Sequence, residues 1–208
     1  MDIISFLKKR LQQALPHQEA LAQMYPNIRP MPKSIPDNAL SSAVLILFYQ
    51  DEGKWCFYVI RRSVDGHAHS GQIGFPGGRR ENTDKDLWET AIREAEEEIG
   101  ISQKLIEKIG ALSTIYIPVS NFKVSPFIGF INTKHNTVAN PDEVAQIISI
   151  PIEEFLRAQN KTETTVTRPN KPEDKISVNA YHLLDGTIIW GATAIILAEL
   201  ELLLKEVC

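Results

Sequence analysis

Apolar residues recur along this chain in two rhythms, one near every third or fourth position and one at alternate positions. Ile3, Phe6, Leu7 and Leu11 follow Asp2 at helical spacing, which predicts an amphipathic helix over about 3–15 with Asp2 as its cap. Such a helix serves either to pack on its own domain or to meet a membrane or partner. Pro26, Pro30, Pro32 and Pro36 then read as an extended connector. Residues 43–49 and 55–62 are β-rich runs joined by Gln50-Asp51-Glu52-Gly53, a hairpin pattern. A glycine-rich passage, 71–78, leads to a helical pattern over about 85–99, and Gly100 is placed to end it. Further β-like runs fall at 111–117, 125–131 and 143–150, followed by a short helix at 151–156 with Pro151 in its first turn. The polar stretch 159–175 reads as an arm or hairpin. Residues 176–184 read as a strand, which Asp185-Gly186 turns into 187–190, and a last Ala- and Leu-rich helix covers 191–205. This order predicts an α/β fold, a mixed β-sheet between helices in an α/β/α sandwich. Residues 1–39, the helix and proline-rich connector, are expected to pack on one domain spanning 40–208.

The helix at 85–99 carries a second pattern. At about 100° per residue, Glu94, Glu97 and Glu98 share one face, with Glu98 about 40° to one side of Glu94 and Glu97 about 60° to the other. Trp88, Ala91, Ile92, Ala95 and Ile99 form a separate apolar stripe, and Glu89 and Glu96 point away from both. Like charges at this spacing cost only about 0.2–0.5 kcal/mol per exposed pair, so an isolated run of this kind is ordinarily a solvated face. Clustered carboxylates beside a Gly-Gly loop also suit hard divalent cations, which take oxygen ligands and meet substrate phosphates.

The surrounding residues separate these readings. Arg93-Glu94-Ala95-Glu96-Glu97-Glu98-Ile99-Gly100-Ile101 resembles the second half of the Nudix box, the signature of the Nudix hydrolases. In the first half Gly78 is followed by Asp84 in place of glutamate, with one residue more before Arg93, a spacing similar to the coenzyme A pyrophosphatase branch. Upstream, Arg62, Ser63, Gly71 and Phe75-Pro76-Gly77-Gly78 resemble that branch's second motif, with Ile60 where threonine is common and His67 where arginine is usual. Ile189-Trp190-Gly191-Ala192-Thr193-Ala194 is similar to its Trp-Gly helix start.

The resemblance implies a Nudix-type fold and Mg²⁺- or Mn²⁺-dependent hydrolysis of a nucleoside diphosphate linked to another group. The expected substrate is coenzyme A or its thioesters, split to 3′-phospho-AMP and (acyl-)4′-phosphopantetheine. The alternatives are ADP-ribose or dinucleoside polyphosphates, or a Nudix-fold protein that senses a nucleotide without cleaving it. Glu94 and Glu98 are the first candidates for metal ligands, with Glu97 as a further ligand or as the base. Arg93 would orient a carboxylate, either Glu97 or a loop acid such as Glu81 or Asp84. Glu143 is the candidate base from outside the box, or else a strand-end surface acid. Arg61, Arg62, Ser63 and His67 are candidates for phosphate contact, as is His69. Gly77 and Gly78 either bring backbone close to the metals or simply make the turn. Trp190 stacks on a base or packs in the core.

Composition narrows the setting. A chain of 208 residues, 43% hydrophobic and 23% charged, is an ordinary globular composition. A formal net charge of −4 argues against a general nucleic-acid or anionic-membrane binder and leaves room for a local phosphate site. Cys56 and Cys208 fit no metal or redox spacing. The first ten residues lack a signal-peptide pattern, and the apolar stretch 188–204 is interrupted by Glu199 and Glu201. The expectation is a cytoplasmic enzyme with a small-molecule nucleotide substrate, no nucleic-acid or membrane partner, and scope for a homodimer.

Overall fold

The continuous apolar run 43–49 lies at the centre of the sheet. The computed structural model describes residues 2–25, 34–64, 70–157, 160–168 and 171–207. Two helices, Ile3–Arg10 (α1) and His17–Met24 (α2), precede the long hairpin Leu40–Asp51 (β1) and Lys54–Arg62 (β2). Two short strands, Ile73–Gly74 (β3) and Gly77–Arg79 (β4), lead to the helix Leu87–Ile99 (α3). Then come Glu107–Ala111 (β5), Ile115–Ile117 (β6), Phe122–Phe130 (β7), Val144–Pro151 (β8) and a one-turn helix, Ile152–Phe155 (α4). Lys161–Arg168 (β9), Lys171–His182 (β10) and Ile188–Trp190 (β11) precede the last helix, Gly191–Leu204 (α5).

β1 through β8 form one mixed sheet in which β1 and β7 pair in parallel and the other pairings are antiparallel. Alternation along β1 sends successive side chains to opposite faces, and both faces are covered. Ala43, Leu45, Leu47 and Tyr49 pack with Ala91, Ala95 and Ile99 of α3. Ile46 and Phe48 pack into a larger core with α1, α2 and α5, including Leu7, Met24, Leu197 and Leu200. The expected α/β/α layering is therefore present.

The site is prepared by a wedge in this sheet. β1 and β2 pair from Phe48–Phe57 to the Asp51–Lys54 turn, then separate. β3 fills the gap against Ile60 and Arg61, and β4 fills it against Ser42, Ala43 and Val44. Gly77 is required there. A Cβ on it would stand 2.3 Å from the Ala43 carbonyl oxygen and 2.6 Å from Val44 Cα, both backbone.

Several boundaries differ from the sequence expectation. The N-terminal pattern makes two helices, because Pro16 stands at the N-cap of α2 and lets Ala20, Leu21 and Met24 bury. Residues 17–24 are thus helix and not part of a connector. Pro26, Pro30, Pro32 and Cys208 lie outside the described residues. The run 111–117 divides into β5 and β6 around Leu112-Ser113-Thr114. The polar stretch after 159, expected as an arm or hairpin, is a hairpin: β9 pairs antiparallel with β10, which also pairs with β11 in a second, three-stranded sheet.

Glu199 and Glu201, which interrupt the apolar pattern of α5, are buried and act as ties. Glu199 Oε2 accepts from the Ser113 amide at 2.7 Å, and Glu201 accepts from the Tyr181 hydroxyl at 2.6 Å and pairs with Lys205 at 2.6 Å. Among the described residues no helix is long and apolar enough to cross a membrane.

Candidate active site

α3 forms because its sequence satisfies both ends. The Asp86 side chain accepts from the Glu89 amide at 2.8 Å, and Gly100 ends the helix at φ +73°. The helix is amphipathic, so burying Ala91, Ala95 and Ile99 against the sheet fixes its rotation. That rotation turns Glu98 inward, under the wedge.

Glu98 is fully buried. Its Oε2 accepts from the Gly77 amide at 2.8 Å, and its Oε1 lies 3.4 Å from Arg62 Nη1. Burial outweighs these two favourable contacts and pushes its pKa up to about 8. Glu94 is largely covered and also raised by burial, with Arg93 opposing. The Glu94 carboxylate packs onto Gly78, where any Cβ would fall 2.5 Å from it. Glu143, exposed at the entry to β8, completes a group in which Glu94, Glu98 and Glu143 each bring a carboxylate oxygen within 4.8 Å of the others.

The positions of the other candidates depend on Arg93. Its Nε and Nη2 donate to Asp84 Oδ1 and Oδ2 at 3.0 and 3.2 Å, its Nη2 also to the Arg79 carbonyl at 3.2 Å, and its Nη1 to Glu97 at 3.0 Å. Asp84 is buried and further accepts from the Glu81 amide and the Thr90 hydroxyl. The Arg93 hydrogen bonds hold the Asp84 carboxyl well below its usual range, at about 2. Of the two loop acids considered as partners of Arg93, Asp84 takes the role; Glu81 contributes its backbone. Glu97 is 53% exposed on its side chain and lies outside the three-carboxylate group, held by Arg93.

Arg62 reaches the site through Glu98, whereas Arg61 turns to Gln146 at 3.4 Å. The Ser63 amide donates to the Glu143 carbonyl at 2.9 Å, which ties the end of β2 to the segment bearing that acid. Trp190 is half-buried at the N-cap of α5. His67 and His69 lie outside the described residues. Sequence reasoning missed Thr90 and Thr193. Thr90 sits one turn after Asp86 with its hydroxyl buried on Asp84. Thr193 donates to the Ile73 carbonyl at 2.9 Å, pinning β3 to the first turn of α5.

The residues present fit a hard divalent cation. The donors are all carboxylate oxygens, one is fully buried and raised in pKa, and the Arg62 guanidinium faces it. A carboxylate-bearing helix under a glycine wedge in an α/β/α sandwich suits divalent-metal chemistry on a phosphorylated substrate. The NUDIX domain family model matches residues 39–169, and the chain belongs to the Nudix hydrolases, which act on phosphoanhydride bonds and need divalent metal ions.

An uncharacterised Nudix hydrolase, NudL, of Pectobacterium atrosepticum is 32% identical over 146 residues, 70% of this chain and 73% of that protein. Mitochondrial Nudix hydrolase 15 of Arabidopsis thaliana is 35% identical over 165 residues, 75% of this chain and 55% of that longer protein. A MutT/nudix family protein from Enterococcus faecalis is similar in fold, with a TM-score of 0.52 over 99% of this chain and 75% of that one, at 15% identity.

Proposed function

We propose that this enzyme cleaves the diphosphate bridge of coenzyme A or its thioesters, releasing 3′-phospho-AMP and (acyl-)4′-phosphopantetheine. The observation that carries the reading is the meeting of Glu94, Glu98 and Glu143 within 4.8 Å, directly beside the Gly77 amide. The substrate reading rests on Arg62, Ser63, Gly71 and the Phe75–Gly78 block. Two of these, Arg62 and Gly77, touch Glu98.

Glu94 and Glu98 would hold Mg²⁺ or Mn²⁺, with Glu143 closing the group and Glu97, at its exposed edge, available to a further ion. Such ions neutralise phosphate oxygens and make a water a stronger nucleophile. The chain's own residues do the rest. The Gly77 N–H and Arg62 fix the Glu98 carboxylate in one orientation. Asp84 locks Arg93, and Arg93 in turn restrains Glu94 and Glu97. Glu143, the exposed member of the three, would take the proton from the attacking water, with Glu97 the other carboxylate at the solvent side. Arg62 keeps N–H donors free of Glu98, and these suit a phosphate oxygen of the substrate. Ser63 is assigned to the same phosphate-facing turn, with His67 after it in sequence and Arg61 at the rim. A homodimer is compatible with this reading and is not needed by it.

The test is mass analysis of products after incubation with Mn²⁺ and, separately, coenzyme A, an acyl-coenzyme A, ADP-ribose and a dinucleoside polyphosphate. The expected result is 3′-phospho-AMP from the first two at the highest kcat/KM. Preferred cleavage of ADP-ribose or of the dinucleotide would replace the substrate assignment. Intact compounds throughout, despite binding, would make the protein a sensor. Running the reaction in heavy-oxygen water identifies the attacked phosphorus by which product carries the label.

A further inference from the structure

The segment Asn140-Pro141-Asp142-Glu143 has the sequence of a tight turn. Asparagine suits the first place, where its side chain can bond the backbone two residues on, and proline suits the second, where its fixed φ matches the bend. That turn is formed. Asn140 Oδ1 accepts from the Asp142 amide at 3.2 Å, and the Asn140 carbonyl accepts from the Glu143 and Val144 amides at 3.2 and 2.8 Å. Backbone and side chain of one residue thus close the turn that ends on Glu143.

The turn is anchored on both sides. α3 ends in carbonyls that have no partner within the helix. The Asn140 amide donates to the Glu98 carbonyl at 3.1 Å, and the Val138 amide to the Ile99 carbonyl at 3.0 Å. On the other side, the Ser63 amide donates to the Glu143 carbonyl at 2.9 Å and the Ser63 hydroxyl to the Pro141 carbonyl at 3.3 Å. β8 begins at the next residue, with Val144 opposite Arg62. Glu98 therefore serves the site twice: its carboxylate is a member of the group, and its carbonyl holds the residue that starts the turn to Glu143.

Glu143 needs such a hold. It is the exposed member of a group of three carboxylates whose oxygens lie within 4.8 Å of one another, and like charges at this range repel. An exposed acid on a loose segment would swing into solvent. Most of the bonds above are made by backbone alone and survive a change of side chain. The Asn140 side-chain bond is made inside the turn, so it bears on the reaction through where it holds Glu143.

We propose that Asn140 is a positioning residue for the hydrolysis, its side chain locking the turn that keeps the Glu143 carboxylate beside Glu94 and Glu98. The inference rests on the part in the reaction proposed above for Glu143. The test compares Asn140→Ala, Asn140→Asp, Glu143→Gln and the double variant Asn140→Ala/Glu143→Gln in the full chain, with Mn²⁺ and the compound of the panel above that the parent cleaves fastest. Glu143→Gln should lower kcat about a hundredfold. Asn140→Ala should lower kcat about tenfold with KM within about twofold of the parent, and Asn140→Asp, which keeps an acceptor for the Asp142 amide, should return to within about threefold. The double variant should match Glu143→Gln within about twofold, because the second change has nothing left to misplace. A further readout needs no turnover: in EDTA, the amides of residues 142–144 should exchange hydrogen about tenfold faster in Asn140→Ala than in the parent, with the amides of α3 unchanged.

Parental kcat in Asn140→Ala beside a defective Glu143→Gln overturns the proposal, whatever the exchange shows, and leaves the part of Glu143 standing. Unchanged exchange at 142–144, no recovery in Asn140→Asp, or a double variant about tenfold below Glu143→Gln overturns it equally, since Asn140 would then act by another route. If Glu143→Gln turns over like the parent, or the parent cleaves none of the panel, the reading of Glu143 fails and the proposal falls with it.

Discussion

Replacing Glu98 with glutamine separates the cost of this site from its use. The folded carboxyl titrates near pH 8 against 4.5 for an ordinary glutamate, because it is fully buried. A pKa raised in this way gives no penalty below pH 4.5, where the group is neutral in both the folded and unfolded chain. The penalty grows as pH rises through the interval and levels off above about 8. At pH 7 the interval is 2.5 pH units, and at about 1.4 kcal/mol per unit the buried charge costs about 3 kcal/mol. Glutamine keeps an acceptor for the Gly77 amide but points an NH₂ group toward Arg62, which takes back about 1 kcal/mol.

The expected outcome for Glu98→Gln in EDTA at pH 7 is a gain of about 2 kcal/mol, roughly 4–8 °C in melting temperature for a chain of this size. The gain should vanish near pH 5 and turn into a loss of about 1 kcal/mol by pH 4. Excess Mn²⁺ at about 100 times its dissociation constant should stabilise the parent by about 3 kcal/mol and leave the variant unmoved. Hydrolysis should fall roughly a hundredfold or more, because the variant keeps the shape of the site but not its charge. Scanning calorimetry with and without Mn²⁺, and product chromatography, read all three. A variant less stable than the parent in EDTA at pH 7, equally stabilised by Mn²⁺, or turning over within a few-fold of the parent would refute the reasoning.

Asp84→Asn should cost about 3 kcal/mol in urea unfolding, because it leaves the mostly buried Arg93 guanidinium without its buried, doubly hydrogen-bonded counter-charge. Here the folded pKa is depressed to about 2, so the contribution is present above 3.8 and fades as pH falls toward 2. The gap between parent and variant should therefore shrink in acid, the opposite trend to Glu98. Gly77→Ala should lose about 3 kcal/mol or more, or fail to yield soluble protein, because its methyl would collide with the β1 backbone at Ala43 and Val44. Equal melting temperatures would contradict the wedge geometry. Thr193→Val should lower kcat/KM several-fold with little change in melting temperature, and Thr193→Ser should restore it, because the hydroxyl positions β3 and through it Gly77.

The elements most legible in the sequence were those whose own residues fix them. α3 is marked by its apolar stripe and Gly100, and the β1–β2 hairpin by β-rich apolar runs on either side of a tight turn. The carboxylate face was legible for the same reason, since helical geometry alone places Glu94 and Glu98 together. What decides between the three box glutamates is tertiary. Glu98 is inward because α3 rotates its alanines onto the sheet, and Glu97 faces solvent because Arg93 holds it there. The approach of Glu143 depends on β8 pairing with β2, a contact no local pattern encodes. α2 was hidden because it is short and opens at Pro16 without a side-chain cap, so the burial of Ala20, Leu21 and Met24 supplies what its sequence lacks in capping. The polar residues of β9 gave no periodic signal because the strand has little apolar core to face.

The central claim is that Glu94, Glu98 and Glu143 gather divalent ions beside the Gly77 turn. Anomalous diffraction from crystals of the parent protein soaked in Mn²⁺ tests it directly. Manganese peaks are expected within ligand distance, about 2.1–2.3 Å, of oxygens from Glu98 and at least one of its two partners. Peaks confined to other carboxylates, with the Arg62–Glu98 pair intact and no density between the three, would contradict it.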